Sequence, residues 1–478
     1  MKLDLRSFQT YKDSSLKLIK EKLIEFYGEN KLNTLTLKDI DRDIKVLNAY
    51  PGIKDMKEVG HKDVHIIDEN VDTSKAEETI LNGQVLWEHA AAGEATRLGL
   101  GTKYLLDLSK FAFSKIKDVL VNEAIKEGKS EEEINKIKEI KDEELKSECA
   151  CDPSELISLS LGLRHMLQLI YDIRKLADKK GRNADEVVKK QKMFIILNES
   201  TCDKISKELA LHNFLGLNPE NVLFMEQKSF HGISLKDGEL FYDENDSEGN
   251  EKNNKRLHNH GQMVMQKLHD DSIFRVINGE RVYLKRDEFL KFLEPFKDMI
   301  SYNIEDLSYL TNSIDLQSLA TALELGEKGY DMVMEVVGQN PKKPQKGASL
   351  FFDPRTKKNV MIESFRLFNL KNEDLKLMNK NFNHYPNTIN SIKKLFEKGL
   401  PLGFEVKEAE DGKEYIYLCT VQGDINFLVN TAFVTRKELK PIYNWKTGAQ
   451  TTQTIKAMHD QDKKEGFKEL AEKLGLLN

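Results

Sequence analysis

The runs "KMFIILNES" (residues 192–200) and "NVLFMEQ" (residues 221–227) constrain this chain more than any other feature. Each is a short, unbroken apolar segment between polar residues, and a helical segment separates them. A strand with one wet face alternates apolar and polar residues, so continuous runs imply burial on both faces. The pattern predicts parallel strands joined by a helix, an α/β domain whose ligand groups lie on loops at the strands' C-terminal ends. Further strands are expected at 84–87, 332–337, 348–352, 359–364 and 414–420.

Helical spacing marks "SLKLIKEKLIEFYG", which closes on Gly28. Residues 113–148 read as long, solvated helices rich in opposite-charge neighbours, and 156–178 as an amphipathic helix that packs on a sheet. Tyr242 to Arg256 is a polar loop. The expected organisation is a helical segment at 1–75, an α/β catalytic domain at 76–400 and a small α+β region at 401–478.

Composition narrows the partners. A net charge of -6, spread through mixed Lys and Glu runs, argues against a general nucleic-acid or anionic-membrane surface but permits a local basic pocket. Cys149, Cys151, Cys202 and Cys419 form neither a disulfide framework nor a zinc knuckle. No export segment and no apolar run of membrane-spanning length is visible, so a cytoplasmic protein is expected. Trp87 and Trp445 are expected to pack. His258, His260 and His269 do not make a metal-ligand set.

The segment "AAAGEATRLGLGTK", residues 90–103, follows an apolar run from Gln84 to Trp87 that Glu88 and His89 interrupt. Gly93 and Gly99 allow close backbone approach, Thr96 offers a hydroxyl, Arg97 a planar charged fork, and Lys103 a compact charge. These groups suit an anion at a strand end, although an Ala-rich helix start fits the local pattern equally well. The segment is neither a Walker loop nor a dinucleotide fingerprint.

Ala92 to Gly99 followed by Lys103 resembles the Gly-Gly-x-Gly-Thr-Arg-Leu-Gly loop and lysine of the UTP-using sugar nucleotidyltransferases, the UDP-sugar pyrophosphorylase group. Ala92 and Ala95 stand where that family has glycine. The resemblance continues in order. "LHNFLGLNPENVLFMEQ" is similar to the family's helix and strand ending on a uracil-binding glutamine, here Gln227. "HNHGQ" supplies Gly261 for the base and His260 near the sugar. "NSIDLQS" resembles the Val-Asp-Asn segment, with Asp315 in the metal position. "NVMIESF" and "FNHYPNTIN" resemble sugar-site segments and give Glu363 and Asn387. "FVTRKELKPIYNWKTG" is similar to a C-terminal stretch of the N-acetylglucosamine enzymes, with Tyr443 where a lysine is usual and Lys446 nearby.

The resemblance implies a Rossmann-like nucleotidyltransferase core with a mixed, mostly parallel sheet. It also implies formation of a UDP-sugar and pyrophosphate from UTP and a hexose 1-phosphate. Arg97 and Lys103 would hold the triphosphate, with Ala92, Gly93 and Thr96 in the loop, and Asp315 would hold Mg²⁺. Two other classes stay open: a nucleotide-sugar sensor without turnover, and a glycosyltransferase using Asp39-Ile40-Asp41 as paired acids.

Overall fold

The computed structural model describes residues 2–92, 99–244, 254–257, 259–304, 306–339, 344, 346–368, 370–409, 412–439, 444–445 and 447–477. In chain order its principal strands are β1 (Val85–Ala90), β2 (Lys192–Asn198), β3 (Val222–Gln227), β4 (Ile233–Lys236), β5 (Glu239–Tyr242), β6 (Ile273–Ile277), β7 (Glu280–Leu284) and β8 (Asp298–Asn303). They continue as β9 (Met332–Gly338), β10 (Ser349–Asp353), β11 (Lys358–Ile362), β12 (Leu377–His384), β13 (Gly403–Glu408), β14 (Glu414–Cys419) and β15 (Thr431–Thr435).

Most of these strands join one mixed sheet in the order β15-β9-β12-β8-β1-β2-β3-β6-β7, extended beyond β15 by residues His65–Ile66. The centre, β8-β1-β2-β3, is parallel, as is β9 with β15. β12 runs antiparallel between β8 and β9, and the β6–β7 hairpin adds an antiparallel edge. The chain is therefore α/β, with the central parallel strands that the apolar runs predict.

Both faces of β2 are buried, which explains its unbroken apolar sequence. Met193, Ile195 and Leu197 enter one core with the helix Leu161–Lys179, and Phe194 and Ile196 enter a second with the helix His260–Gln266. Each large apolar side chain buried this way contributes about 1.5–3 kcal/mol relative to exposure.

Glu88 and His89 do not interrupt β1 as the sequence suggests; both lie within it. Each has a specific accommodation. Glu88 is fully buried but ion-paired to Lys267, and His89 packs with its ring centroid 5.7 Å from His165 and 6.0 Å from Tyr104. The charged segment 113–148 is broken into Phe113–Lys126, Glu131–Lys138 and Asp142–Cys149 rather than long helices. Gly128 takes φ +69°, and Ser130 with Glu133 forms a capping box that starts a new helix. The amphipathic helix expected from 156 begins at Leu161, capped by Ser160.

The N-terminal helices Phe8–Tyr27 and Leu37–Asn48 cover a second, four-stranded sheet ordered β13-β14-β4-β5. Ile19, Leu23, Ile40 and Leu47 pack on Ile233, Phe404, Ile416 and Leu418. The first 75 residues also supply strand pairs: Lys57–Glu58 beside β10 and His65–Ile66 beside β15. Among the described residues no helix is long and apolar enough to cross a membrane. Trp87 and Trp445 are buried, their indole N–H groups donating to Gln191 and Thr451.

Burial depresses the histidines of these cores. His89 is pushed down to about 3, His269 to about 4, and His165 well below its ordinary value by burial and by His89. Folded values below the unfolded one mean that the unfolded chain binds more protons in acid. Their contribution is complete above about pH 6.5 and is lost as pH falls toward 4, at up to about 1.4 kcal/mol per pH unit for each histidine. Unfolding free energies measured from pH 7 to pH 4.5 should fall accordingly, and His165→Leu should make the decline shallower. An unchanged slope in that variant contradicts a neutral, buried His165.

Candidate functional site

Strand order reverses between β1 and β8: the chain proceeds β1, β2, β3 to one side, then returns to place β8 on the other side of β1. In open α/β sheets a crevice forms at such a point, outside the carboxyl ends of the strands. The segment after β1 leaves from this edge. Ala91 N–H donates to Ile196 O at 2.8 Å, and Asn198 Nδ2 donates to Ala92 O at 3.2 Å. Asn198 is in turn in register with Gln227. Ala92, Asn198 and Gln227 thus form a row along the carboxyl edge.

Gln227 Nε2 donates to Gln262 Oε1 at 2.9 Å, one residue beyond Gly261. Gly261 is placed by contact: its N–H donates to Thr420 O at 2.7 Å, and a Cβ there would stand 2.5 Å from the Thr420 carbonyl carbon and Val421 N. Only glycine allows that approach without moving backbone. His260 opens the same helix. The Gln422–Phe427 turn that follows Val421 carries the contact inward. Gln422 Nε2 donates to Ser301 Oγ (3.0 Å) and Tyr385 Oη (3.1 Å), while Ser301 Oγ donates to Glu88 Oε1 at 2.8 Å. Next to it, a Cβ on Gly423 would lie 3.8 Å from Glu363 Oε1 and 3.9 Å from Asn379 Nδ2. Gln227, Gly261, His260 and Glu363 are therefore brought to one side of the crevice.

A charged cluster occupies the other side. Lys103 Nζ donates to the Trp445 carbonyl, and neighbouring Asn444 bridges to Asp306, just beyond β8. Glu335 on β9 receives Lys380 Nζ at 3.1 Å and Arg436 Nε at 2.8 Å. Arg436, directly after β15, also pairs with Asp315. Burial pushes the Asp306 carboxyl above its ordinary value; Lys380 pulls it down and Glu335 adds to the rise.

From Asp315 the bonding continues into the interior. Asp315 caps the helix Leu316–Glu327 by accepting Ser318 N–H at 2.9 Å. Ser318 Oγ lies 3.0 Å from His384 Nε2, and His384 Nδ1 lies 2.5 Å from Asp298 Oδ2. Ser318, His384 and Asp298 have the connectivity of a hydrolase triad, but Ser318 is 2% exposed, so no substrate reaches it. Their role is to hold the helix end that presents Asp315.

Comparison with solved structures identifies the fold that carries this arrangement. The UDP-N-acetylglucosamine pyrophosphorylase of Trypanosoma brucei, solved with an inhibitor, aligns over 92% of this chain and 84% of its own with a TM-score of 0.53 and 11% identity. The chain shares the fold of the UDP-sugar pyrophosphorylases. A variant of Leishmania major UDP-glucose pyrophosphorylase, in complex with UDP-glucose, aligns over 90% and 77% (TM-score 0.52, 13% identity). The UDP-glucose phosphorylase of Trypanosoma brucei aligns over 80% and 66% (TM-score 0.51, 13% identity). No protein-family model matches the chain, and no curated protein matches it by sequence.

Within the pyrophosphorylase fold one expected placement needs correction. Asn387 is not at the crevice. β12 runs antiparallel to β8, so its end carries Asn387 to the opposite, amino edge, where Nδ2 donates to Tyr330 O at 2.9 Å. Asp315 has a partner on each carboxylate oxygen: one accepts Ser318 N–H and the other pairs with Arg436. Gly93, Thr96 and Arg97, with Ala95, Tyr443 and Lys446, lie outside the described residues. Sequence reasoning missed Asp306, Glu335 and Lys380 as site residues. Glu335 and Lys380 sit inside strands, where only the three-dimensional pairing of β9 with β12 reveals that they meet.

Proposed function

We propose that the protein is a uridylyltransferase that forms a UDP-sugar and pyrophosphate from UTP and a hexose 1-phosphate. The observation that carries the reading is the convergence of Ala92, Gln227 and Gly261 with a cluster of cations at one topological switch point. The names of the structural neighbours, UDP-N-acetylglucosamine and UDP-glucose pyrophosphorylases, support it.

In this reading a phosphate oxygen of the sugar 1-phosphate attacks the α-phosphorus of UTP, a new P–O bond forms, and the bond to the β-phosphate bridging oxygen breaks, releasing pyrophosphate. No covalent enzyme intermediate is required, so the protein's task is alignment and charge compensation. Gln227 holds uracil through its side-chain amide, and Gly261 shapes that end of the site by letting its helix start close on the Thr420–Val421 backbone. Glu363 and His260 face the sugar. Lys103, Lys380 and Arg436 compensate the phosphates together with Arg97 from the loop.

Mg²⁺ would suit this chemistry by offsetting phosphate charge, since a hard cation needs only one or two protein carboxylates. Among the described residues no group of three His, Cys, Asp or Glu side chains makes a metal cage. Asp306 is the better carboxylate: Ser308 engages only its Oδ1 among the described residues, and a cation would offset the cost of its buried charge, whereas both Asp315 oxygens have partners.

Incubation with UTP, Mg²⁺ and a panel of sugar 1-phosphates tests the proposal through pyrophosphate release. Turnover with one sugar is expected. Tight UTP binding without turnover across the panel instead identifies a sensor.

A further inference from the structure

We propose a second ligand site, away from the crevice, for a small molecule carrying phosphate groups at both ends. A groove of about 720 Å³ opens beside the first residues of β15, within the range of small-molecule pockets. Two banks of lysines line it. Lys357 and Lys358 come from the turn and start of β11, and Lys394 and Lys398 from the helix Thr388–Lys398. Asp63 is the sole acid among the groove's lining residues. Lys394 pairs with Asp331 at 2.6 Å, whereas Lys357, Lys358 and Lys398 form no ion pair among the described residues. In a chain of net charge -6 this is a concentrated positive site.

Two local features oppose stability at the same groove. Lys357 takes φ +56°, a left-handed conformation in which glycine or asparagine is the easy choice. Lys394 and Lys398, four apart on one helix face, repel each other, a repulsion that Asp331 offsets only at Lys394. Anionic groups bound in the groove offset this charge, and lysines from two separate elements suit a ligand charged at both ends. Thr356, Asn430 and Thr431 add uncharged hydrogen-bonding groups to the lining. β15 runs from Thr431 in the groove to Thr435, and Arg436 of the charged cluster follows. That span is about 15 Å.

Fructose 1,6-bisphosphate and inorganic phosphate serve as probes in calorimetric titrations of the full chain at low salt. The bisphosphate is expected to bind saturably and more tightly than phosphate. Lys357→Glu with Lys398→Glu should weaken it by about tenfold or more, while the two Lys→Arg changes retain binding. UTP binding should be unaltered in both variants, and thermal unfolding checks that each is folded. Bisphosphate affinity unchanged by charge reversal, or no saturable binding by the wild type, overturns the site. Binding lost in Arg436→Ala but retained in the groove variant also overturns it, because the probe then occupies the crevice. These measurements do not depend on turnover, so failure of the uridylyltransferase reading leaves their outcome decisive.

Discussion

Lys267→Met is expected to destabilise the protein by about 3–5 kcal/mol, the cost of leaving a buried charge without its partner. Glu88 has no exposed surface and Lys267 is 2% exposed; the two form an ion pair at the centre of the sheet. After the substitution the Ser301 hydroxyl is the donor left at the Glu88 carboxylate among the described residues, too little to replace an ammonium ion. The double change Glu88→Gln with Lys267→Met removes both charges and should recover most of the loss, since a buried pair and a neutral replacement of similar size are often close in stability. Denaturant unfolding of the three proteins measures this. A single variant within about 1 kcal/mol of wild type would show that the pair is not sealed from water.

The same pair explains where sequence reading reached the fold and where it stopped. β2 and β3 are legible because burial on both faces erases polar alternation, leaving runs that no half-wet strand would carry. β1 is buried too, yet Glu88 and His89 disguise its end. Each depends on a residue far along the chain: Lys267 neutralises Glu88, and His89, kept uncharged by burial, packs against His165. Local pattern carries no trace of such partners.

The site divides in the same way. Ala92, Gln227 and Gly261 sit at strand ends or a helix start, where motif order survives, and the structure brings them to one edge. Asn387 follows a strand as well, but an antiparallel one, and sequence does not record strand direction. Asp315 was legible as an acid before a helix, and its capping bond is the one that pattern announces. Arg436, Glu335 and Lys380 acquire their meaning only from tertiary pairing across β9, β12 and β15.

Arg436→Ala should leave the fold intact and reduce kcat/KM for UTP by about 10²- to 10³-fold, the range for loss of one charge-stabilising group. Its side chain is 35% exposed, and Asp315 keeps its capping bond to Ser318 without it. What changes is the charge presented to the triphosphate. Arg436 compensates Glu335 and Asp315 together; once it is removed, Asp315 loses this ion partner and Lys380 is left to compensate Glu335 and Asp306. One uncompensated charge about 6 Å from a phosphate costs about 3 kcal/mol at an effective dielectric near 20, equivalent to about a hundredfold. Arg436→Lys should rescue only in part, because an ammonium ion cannot reproduce a guanidinium fork that engages two carboxylates at once. Added salt should narrow the gap between Arg436→Ala and wild type, since screening weakens the exposed part of the repulsion. Wild-type kinetics in Arg436→Ala, or a deficit insensitive to salt, would place the triphosphate away from this cluster.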